Sequence, residues 1–433
     1  MSNWRNIEIG KVIDFNPSES IKKETIAKKI PMDKLTVFEK KIKGFEFSEY
    51  KAGPKFRNGD TLVAKITPCL ENGKTAQVDI LEDDEVAFGS SEFIVLRENE
   101  HTINDYIFYL AKSPAFRKRA ISCMEGTSGR KRVNEGALKL QVLPIPDKTT
   151  QQKIAKVLSD LDAKIELNNK INAELEAMAK TLYDYWFVQF DFPFVTSSGV
   201  EKPYKSSGGK MVWKEELKRE IPDEWEVKTL LDIASFVNGL ACQKFRPNEN
   251  EDSYRVIKIR EMGTGFTENS EFVSTNIPEK VIINNGDVLF SWSATLDVKI
   301  WTGGTGALNQ HIFKITSNDF PKSYYYFELL NYLQHFKMQA ELRKTTMGHI
   351  TQDHLRQSRI TIPSTNLINK LDKILKPILD KKVKLEEENQ ELALLRDWLL
   401  PMLMNGQVSV GQVAKVYEMK EDFLGSVAEP KNK

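Results

Sequence analysis

Along two stretches of the chain, apolar residues recur at alternating steps of three and four. The first stretch runs Leu158, Leu161, Ile165, Asn168, Asn172, Leu175, Ala179, Leu182 and Trp186. The second runs Leu371, Leu375, Ile378, Lys382, Leu385, Asn389, Leu392, Arg396, Leu399 and Leu403. Such spacing gathers every member on one helix face and is the heptad seam of a coiled coil. A stripe of this kind ordinarily packs against its own domain. Two seams of matching length favour pairing of the helices with each other, the more so because both carry seam asparagines (Asn168 and Asn172; Asn389). A buried asparagine weakens a seam but fixes its register, which suits a spacer whose length must not slip. Gly406 is placed to stop the second helix, and Pro377 to kink it or mark its effective start.

Ahead of each helix lie about 145 residues of short β-patterned runs, among them Thr61-Leu62-Val63-Ala64, Phe93-Ile94-Val95-Leu96, Val256-Ile257-Lys258-Ile259 and Lys299-Ile300-Trp301. The two halves repeat one another. Trp4 is echoed by Trp225, Gly59-Asp60-Thr61-Leu62-Val63 by Gly286-Asp287-Val288-Leu289-Phe290, and Ser91-Glu92-Phe93-Ile94-Val95 by Asn309-Gln310-His311-Ile312-Phe313. Gly129, Leu138 and Ile145-Pro146 then parallel Gly348, Leu355 and Ile362-Pro363, and Asn172-Ala173-Glu174-Leu175 parallels Asn389-Gln390-Glu391-Leu392. Five ordered matches at a near-constant offset mean a tandem duplication. The expected layout is a first β-rich module over 1–146, a long helix over 147–195 and a flexible Ser/Gly-rich linker over 196–215. A second module over 216–363, a second helix over 364–410 and a tail over 411–433 complete it.

Composition narrows the function. Lys and Arg number 62 against 61 Asp and Glu, which excludes a uniformly basic nucleic-acid coat but leaves local charge open. Three scattered cysteines (Cys69, Cys123, Cys242) and the lack of metal-ligand spacing among the histidines point to a reducing cytosol and no metal site. No apolar run is long enough for a membrane span, so a soluble, cytoplasmic protein is expected.

Catalytic motifs are missing. There is no Walker phosphate loop, and Gly263-Thr264-Gly265 and Gly303-Gly304-Thr305-Gly306 read as turns. Asp191-Phe192-Pro193-Phe194 departs from an amino-methyltransferase motif at its first proline position. Pro222-Asp223 and Glu226-Val227-Lys228 lie too close together to hold a nuclease metal on separate strands.

Local positive charge recurs at the same place in both halves. Between Leu110 and Leu140, Lys112, Arg117, Lys118, Arg119, Arg130, Lys131, Arg132 and Lys139 face only Glu125 and Glu135. Between Lys337 and Arg359, five cations face Glu341 and Asp353. Small-residue loops sit at the centre of each: Thr127, Ser128, Arg130, Lys131 and Arg132 in one, Lys344, Thr345, Thr346 and His349 in the other. Hydroxyls, glycine amides and cations together suit phosphate contacts, although a solvated loop has the same composition. The repeats also differ where they align: Ser91 and Glu92 stand opposite Asn309 and Gln310, and Lys65 opposite Trp292. Glutamate accepts from cytosine N4, and Asn or Gln binds adenine bidentately, so these positions are candidate base readers as well as ordinary strand-end polar residues.

The sequence resembles the specificity subunit of a type I restriction–modification system. The resemblance is carried by Ile221-Pro222-Asp223-Glu224-Trp225 with Leu230, by Thr346-Met347-Gly348-His349-Ile350 with Leu355 and Ile362-Pro363, by Gln151-Gln152-Lys153-Ile154-Ala155, and by Leu395-Arg396-Asp397-Trp398-Leu399-Leu400 near Gly406. It spans essentially the whole chain; the loop around Arg130-Lys131-Arg132-Val133 runs two residues longer than its counterpart. It implies an α/β fold with two mixed, β-rich target recognition domains in tandem repeat, separated by two long helices forming an antiparallel coiled coil. It also implies a non-catalytic subunit in which each domain reads half of a bipartite site in double-stranded DNA. The helices would dock two methyltransferase (modification) subunits, and restriction/translocase subunits would join the complex. S-adenosylmethionine, ATP and Mg would bind those partners and no cofactor this chain. A helix of about 35 residues spans about 50 Å, or roughly 15 base pairs, so the helix pair is expected to act as a ruler. The competing class is a non-catalytic coiled-coil scaffold whose heads bind proteins.

Overall fold

Two four-stranded sheets build each half of the computed structural model, which describes residues 4–412 apart from 38, 128, 197 and 343–349, and only the backbone of 340–342. In the first half, one sheet runs in the order Asp14–Phe15, Phe93–Arg97, Thr61–Ala64, Thr75–Gln77. The second half answers with Ser235–Asn238, Ile312–Thr316, Val288–Ser291, Asp297–Ile300. The other sheet orders Glu46–Glu49, Ile26–Ile30, Ala87–Gly89, Lys55–Phe56, matched by Phe272–Ser274, Ser253–Ile257, Gly306–Leu308, Ile282–Ile283. Each mixed sheet holds one parallel pair, Ile26–Ile30 with Ala87–Gly89 and Ser253–Ile257 with Gly306–Leu308. The duplication expected from the sequence is thus a duplication of topology.

Local chemistry explains the shared turns. Asn58-Gly59-Asp60 and Asn285-Gly286-Asp287 both place glycine at positive φ (+92° and +87°), where a side chain is disfavoured. Asp60 and Asp287 close the turns by accepting from the amides of Arg57 and Asn284 (2.9 and 2.8 Å). The central strands Thr61–Ala64 and Val288–Ser291 are buried throughout, so they are covered on both faces.

The long helices are Lys148–Tyr183, followed by a π-helical turn over Asp184–Val188, and Thr365–Met404. The second passes through Pro377 and begins twelve residues earlier, so Pro377 does not mark its start. It ends at Met404, with Gly406 left-handed (φ +73°) just beyond, as expected. The chain divides into two compact units, one formed by residues up to Glu166 with those from Glu391 on, the other by Leu167–Gln390. Each unit therefore packs parts of both helices into its own core. In the first, Leu158 joins Leu395, Leu399 and Leu403 beside Tyr106–Ala111. In the second, Ala179, Tyr183 and Trp186 join Leu371, Leu375 and Leu379. Antiparallel pairing is direct in the second unit, where Asn168 meets Asn389 and Glu176 meets Lys382.

The stretch over 196–215 is not a bare linker. Pro193–Val195 pairs with Glu201–Pro203, and Met211–Lys214 with Arg219–Pro222. Phe192 stacks between Tyr204 and Trp225 (4.6 and 5.5 Å between centroids), and Asp191 accepts from the Ser206 amide (2.7 Å). The glycines that suggest flexibility serve as turn residues, Gly199 and Gly208 both at positive φ. The same aromatic stack accounts for Asp191-Phe192-Pro193-Phe194 as packing.

The seam asparagines behave differently from one another. Asn168 donates to Glu388 and Asn389 (both 2.9 Å), and Asn389 donates to Asn169 (2.8 Å). Buried Asn172 has no hydrogen-bond partner for either side-chain atom among the described residues. An unpaired buried amide costs about 1–3 kcal/mol. Asn172→Leu should therefore raise the urea midpoint of the full chain by an amount worth about 1 kcal/mol. Asn168→Leu, which removes the amide that donates to Asn389 Oδ1 and to Glu388, should lower it by about 1–2 kcal/mol.

Buried Glu328 receives the Tyr183 hydroxyl (2.6 Å), yet burial pushes its carboxyl up to about 7. A carboxyl raised from its unfolded value near 4.3 holds its proton longer in the folded state, so stability falls as pH rises from about 4.5 to 7 and is level above. Denaturant midpoints across pH 4–8 should show that loss, on the order of 3 kcal/mol, and Glu328→Gln should flatten it.

Candidate nucleic-acid interface

In the first module, the strand Thr61–Ala64 delivers Lys65 to a junction of three segments. The Lys65 amide donates to the Glu92 carbonyl and the Val133 amide to the Lys65 carbonyl, both at 2.8 Å. Met124–Glu125 pairs with Arg132–Val133, and Ile66 bridges to Arg132, so Arg132 stands on a strand rather than in a loop. Between those two short strands the chain turns at Gly126 and Gly129 (φ +118° and +91°), leaving Thr127, Arg130 and Lys131 exposed. The Lys131 carbonyl accepts from the Thr67 amide (3.0 Å), which ties the base of the hairpin down. Ser128 lies outside the described residues.

Side chains at this junction form an ordered charge network. Arg132 donates through Nε to Glu92 Oε1 and Oε2 (3.0 and 2.9 Å) and through Nη2 to Oε1 (2.7 Å). Those bonds hold the Glu92 carboxyl below its ordinary range and raise the Arg132 guanidinium. Lys65 Nζ reaches Glu135 Oε1 (3.3 Å), whose other oxygen accepts from Asn16. Both Glu92 oxygens thus accept from Arg132, and the carboxylate holds the arginine in place. Asn16 and Glu135 were not legible as site residues, because their partners come from distant segments. Ser91 is exposed but lines a separate hollow with Lys29, Glu49 and Lys51. The basic cluster is also thinner than its composition suggests: Lys112 is buried, with desolvation holding its amine down to about 8, and Arg117 donates to the Glu71 carbonyl (2.6 Å).

The second module repeats the backbone of this junction with other side chains. The Trp292 amide donates to the His311 carbonyl (3.3 Å) and the Ile350 amide to the Trp292 carbonyl (2.9 Å). Lys65 and Trp292 are therefore equivalent, as the sequence indicates. The neighbouring alignment slips by one. Ala64 faces Phe93 and Ser291 faces Ile312; the Ser90 amide reaches Ile30 as the Asn309 amide reaches Ile257 (3.2 and 3.1 Å). Ser90, Ser91 and Glu92 thus correspond to Asn309, Gln310 and His311. One identical letter, Ile94 against Ile312, favoured the wrong offset, whereas a one-residue slip would turn every strand side chain to the opposite face. His311 is the residue missed: its ring lies 5.5 Å from Trp292, which donates to Asn238 (3.2 Å). Asn309 is buried, and Gln310 Nε2 lies 3.3 Å from His311 Nε2. Lys344, Thr345, Thr346 and His349 lie outside the described residues.

Among the described residues no cluster of three or more acidic, histidine or cysteine side chains is arranged to hold a metal, and no helix is long and apolar enough to cross a membrane. Asp223 and Glu226 each pair with a nearby lysine, Lys210 and Lys228 (both 2.8 Å).

Comparison with known proteins places this architecture. The family model described as the type I restriction modification DNA specificity domain matches twice, over residues 1–177 and 222–394. The chain is 25% identical to the HindI specificity subunit of Haemophilus influenzae across 94% of this chain and all of that one. It is 26% identical to the MjaIX specificity subunit of Methanocaldococcus jannaschii across 72% of this chain and 70% of that one. A type I restriction–modification S subunit from M. genitalium has the same fold, at 16% identity and a TM-score of 0.56 over 93% of this chain and 96% of that one. Two family matches, one on each copy of the duplicated module, show that the chain belongs to the type I restriction–modification specificity subunit family, the non-catalytic DNA-recognition components of those systems.

Proposed function

We propose that this chain reads a bipartite site in double-stranded DNA, one module to each half-site, and that the paired helices dock two methyltransferase subunits. Restriction subunits join the same complex, and S-adenosylmethionine, ATP and Mg belong to those partners. The observation that carries this reading is the junction built twice. Its backbone hydrogen bonds recur in both modules, while its side chains differ: Lys65, Glu92 and Arg132 in one, Trp292 and His311 in the other. A frame held constant around changed polar groups is suited to reading two different sequences. Exposed Arg130 and Lys131 beside it supply the sequence-independent attraction to phosphate.

Co-expression with the modification subunit and single-molecule mapping of methylated adenine should give a motif split by a fixed gap. A stable complex that leaves DNA unmethylated and unbound would favour the protein scaffold instead. A continuous motif would keep the DNA role and remove the ruler, and so would an unchanged gap after one heptad is inserted into each helix. The double variant Arg130→Ala/Lys131→Ala should weaken binding to every duplex alike, and lower the slope of log affinity against log salt by about 0.9 for each phosphate no longer neutralised.

A further inference from the structure

We propose that Arg132 reads a guanine in the half-site of the first module, with Glu92 as its positioning residue. The inference rests on the two-module reading above and assigns a base to one of its contacts.

A guanidinium presents two donor edges, one formed by Nε with Nη2 and the other by Nη1 with Nη2. Glu92 occupies the first edge through three contacts of 2.7–3.0 Å. Nη1 has no partner among the described residues, and the Arg132 side chain is 51% exposed. The second edge is therefore an open pair of parallel donors on a fixed plane. In the major groove, guanine alone presents two neighbouring acceptors, O6 and N7, to such a pair.

A phosphate also accepts a guanidinium bidentately, so the two ligands must be separated. The carboxylate decides between them. Glu92 cancels most of the charge of Arg132, which weakens it as a phosphate anchor and leaves its hydrogen-bond geometry intact. Arg130 and Lys131, which have no ion pair among the described residues, suit phosphate better. Positioning is also thorough: the Arg132 backbone is paired with Glu125 and bridged to Ile66, and Lys65 adds a second cation beside Glu92. In the second module the equivalent of Glu92 is His311, so this device belongs to one half-site only.

The test uses the complex with its modification subunit, after the wild-type motif has been mapped. Duplexes carrying each base at every position of the motif are titrated against wild type, Arg132→Lys, Arg132→Ala and Glu92→Gln. Wild type should prefer guanine at one position of one half-site on the order of ten- to a hundredfold. Arg132→Lys keeps the charge and loses the planar fork, so it should bind all four bases there within about threefold while keeping its salt dependence. Glu92→Gln should fall between the two, and the other half-site should be read as before by every variant. Retained guanine preference in Arg132→Lys overturns the proposal, as does relaxation at a base other than guanine. Equal weakening on every duplex by Arg132→Ala would identify a phosphate contact and overturn it too. A wild-type motif without a gap would sink the two-module reading, while the same titration would still decide what Arg132 reads.

Discussion

Helix pairing is the constraint on which both modules depend, and its polar contacts, more than its leucines, determine how the helices meet. Leucine packs against leucine at several offsets, so an apolar seam alone tolerates slippage. Arg396 Nη1 lies 2.7 Å from Asp162 Oδ1, both side chains nearly buried, and Asp162 Oδ2 also accepts the Tyr109 hydroxyl (2.6 Å). Taking Arg396 away leaves the buried Asp162 carboxylate without its cation, a cost of about 3–5 kcal/mol. Any other offset does the same. In the second unit the Asn168–Asn389 contact plays that part at lower cost, since a neutral amide misplaced forfeits about 1–3 kcal/mol. Register is thus fixed once in each unit.

That arrangement has a consequence for the modules themselves. The first unit's core contains Leu395, Leu399, Leu400, Leu403 and Met404, which lie more than two hundred residues beyond the rest of that core. The second helix begins in one unit and supplies the core of the other, so neither module closes its core with its own half of the chain. The same residues thus serve as seam and as core.

The sequence revealed what depends on period and on turn chemistry. Heptad spacing found both helices, and Gly406 the end of the second, because those signals are local. What it missed depends on contacts across the chain. The one-residue slip at Ser91 and Glu92 arose because the letters Asn-Gln-His offer no apolar anchor, while strand pairing with Ala64 and Ser291 fixes the register in three dimensions. The supposed linker was misread because Ser and Gly look alike in a hairpin turn and in a flexible tether; Phe192 and Tyr204, stacked 4.6 Å apart, make the difference. The chemistry of Glu92 alone left it either a base contact or an ordinary strand-end polar residue, and only geometry shows its pairing with Arg132.

The same geometry bears on how the junction's side chains can change without endangering the fold. An exposed ion pair such as Glu92–Arg132 contributes little to stability, about 0–1 kcal/mol. The backbone bonds beneath it, from Lys65 to Glu92 and from Val133 to Lys65, do not depend on those side chains, as their recurrence around Trp292 demonstrates. The main chain therefore holds the junction, and the side chains on it differ between the two modules. A duplicated module of this design can diverge in its junction side chains while each copy remains folded, because the bonds that close the junction are those of the main chain.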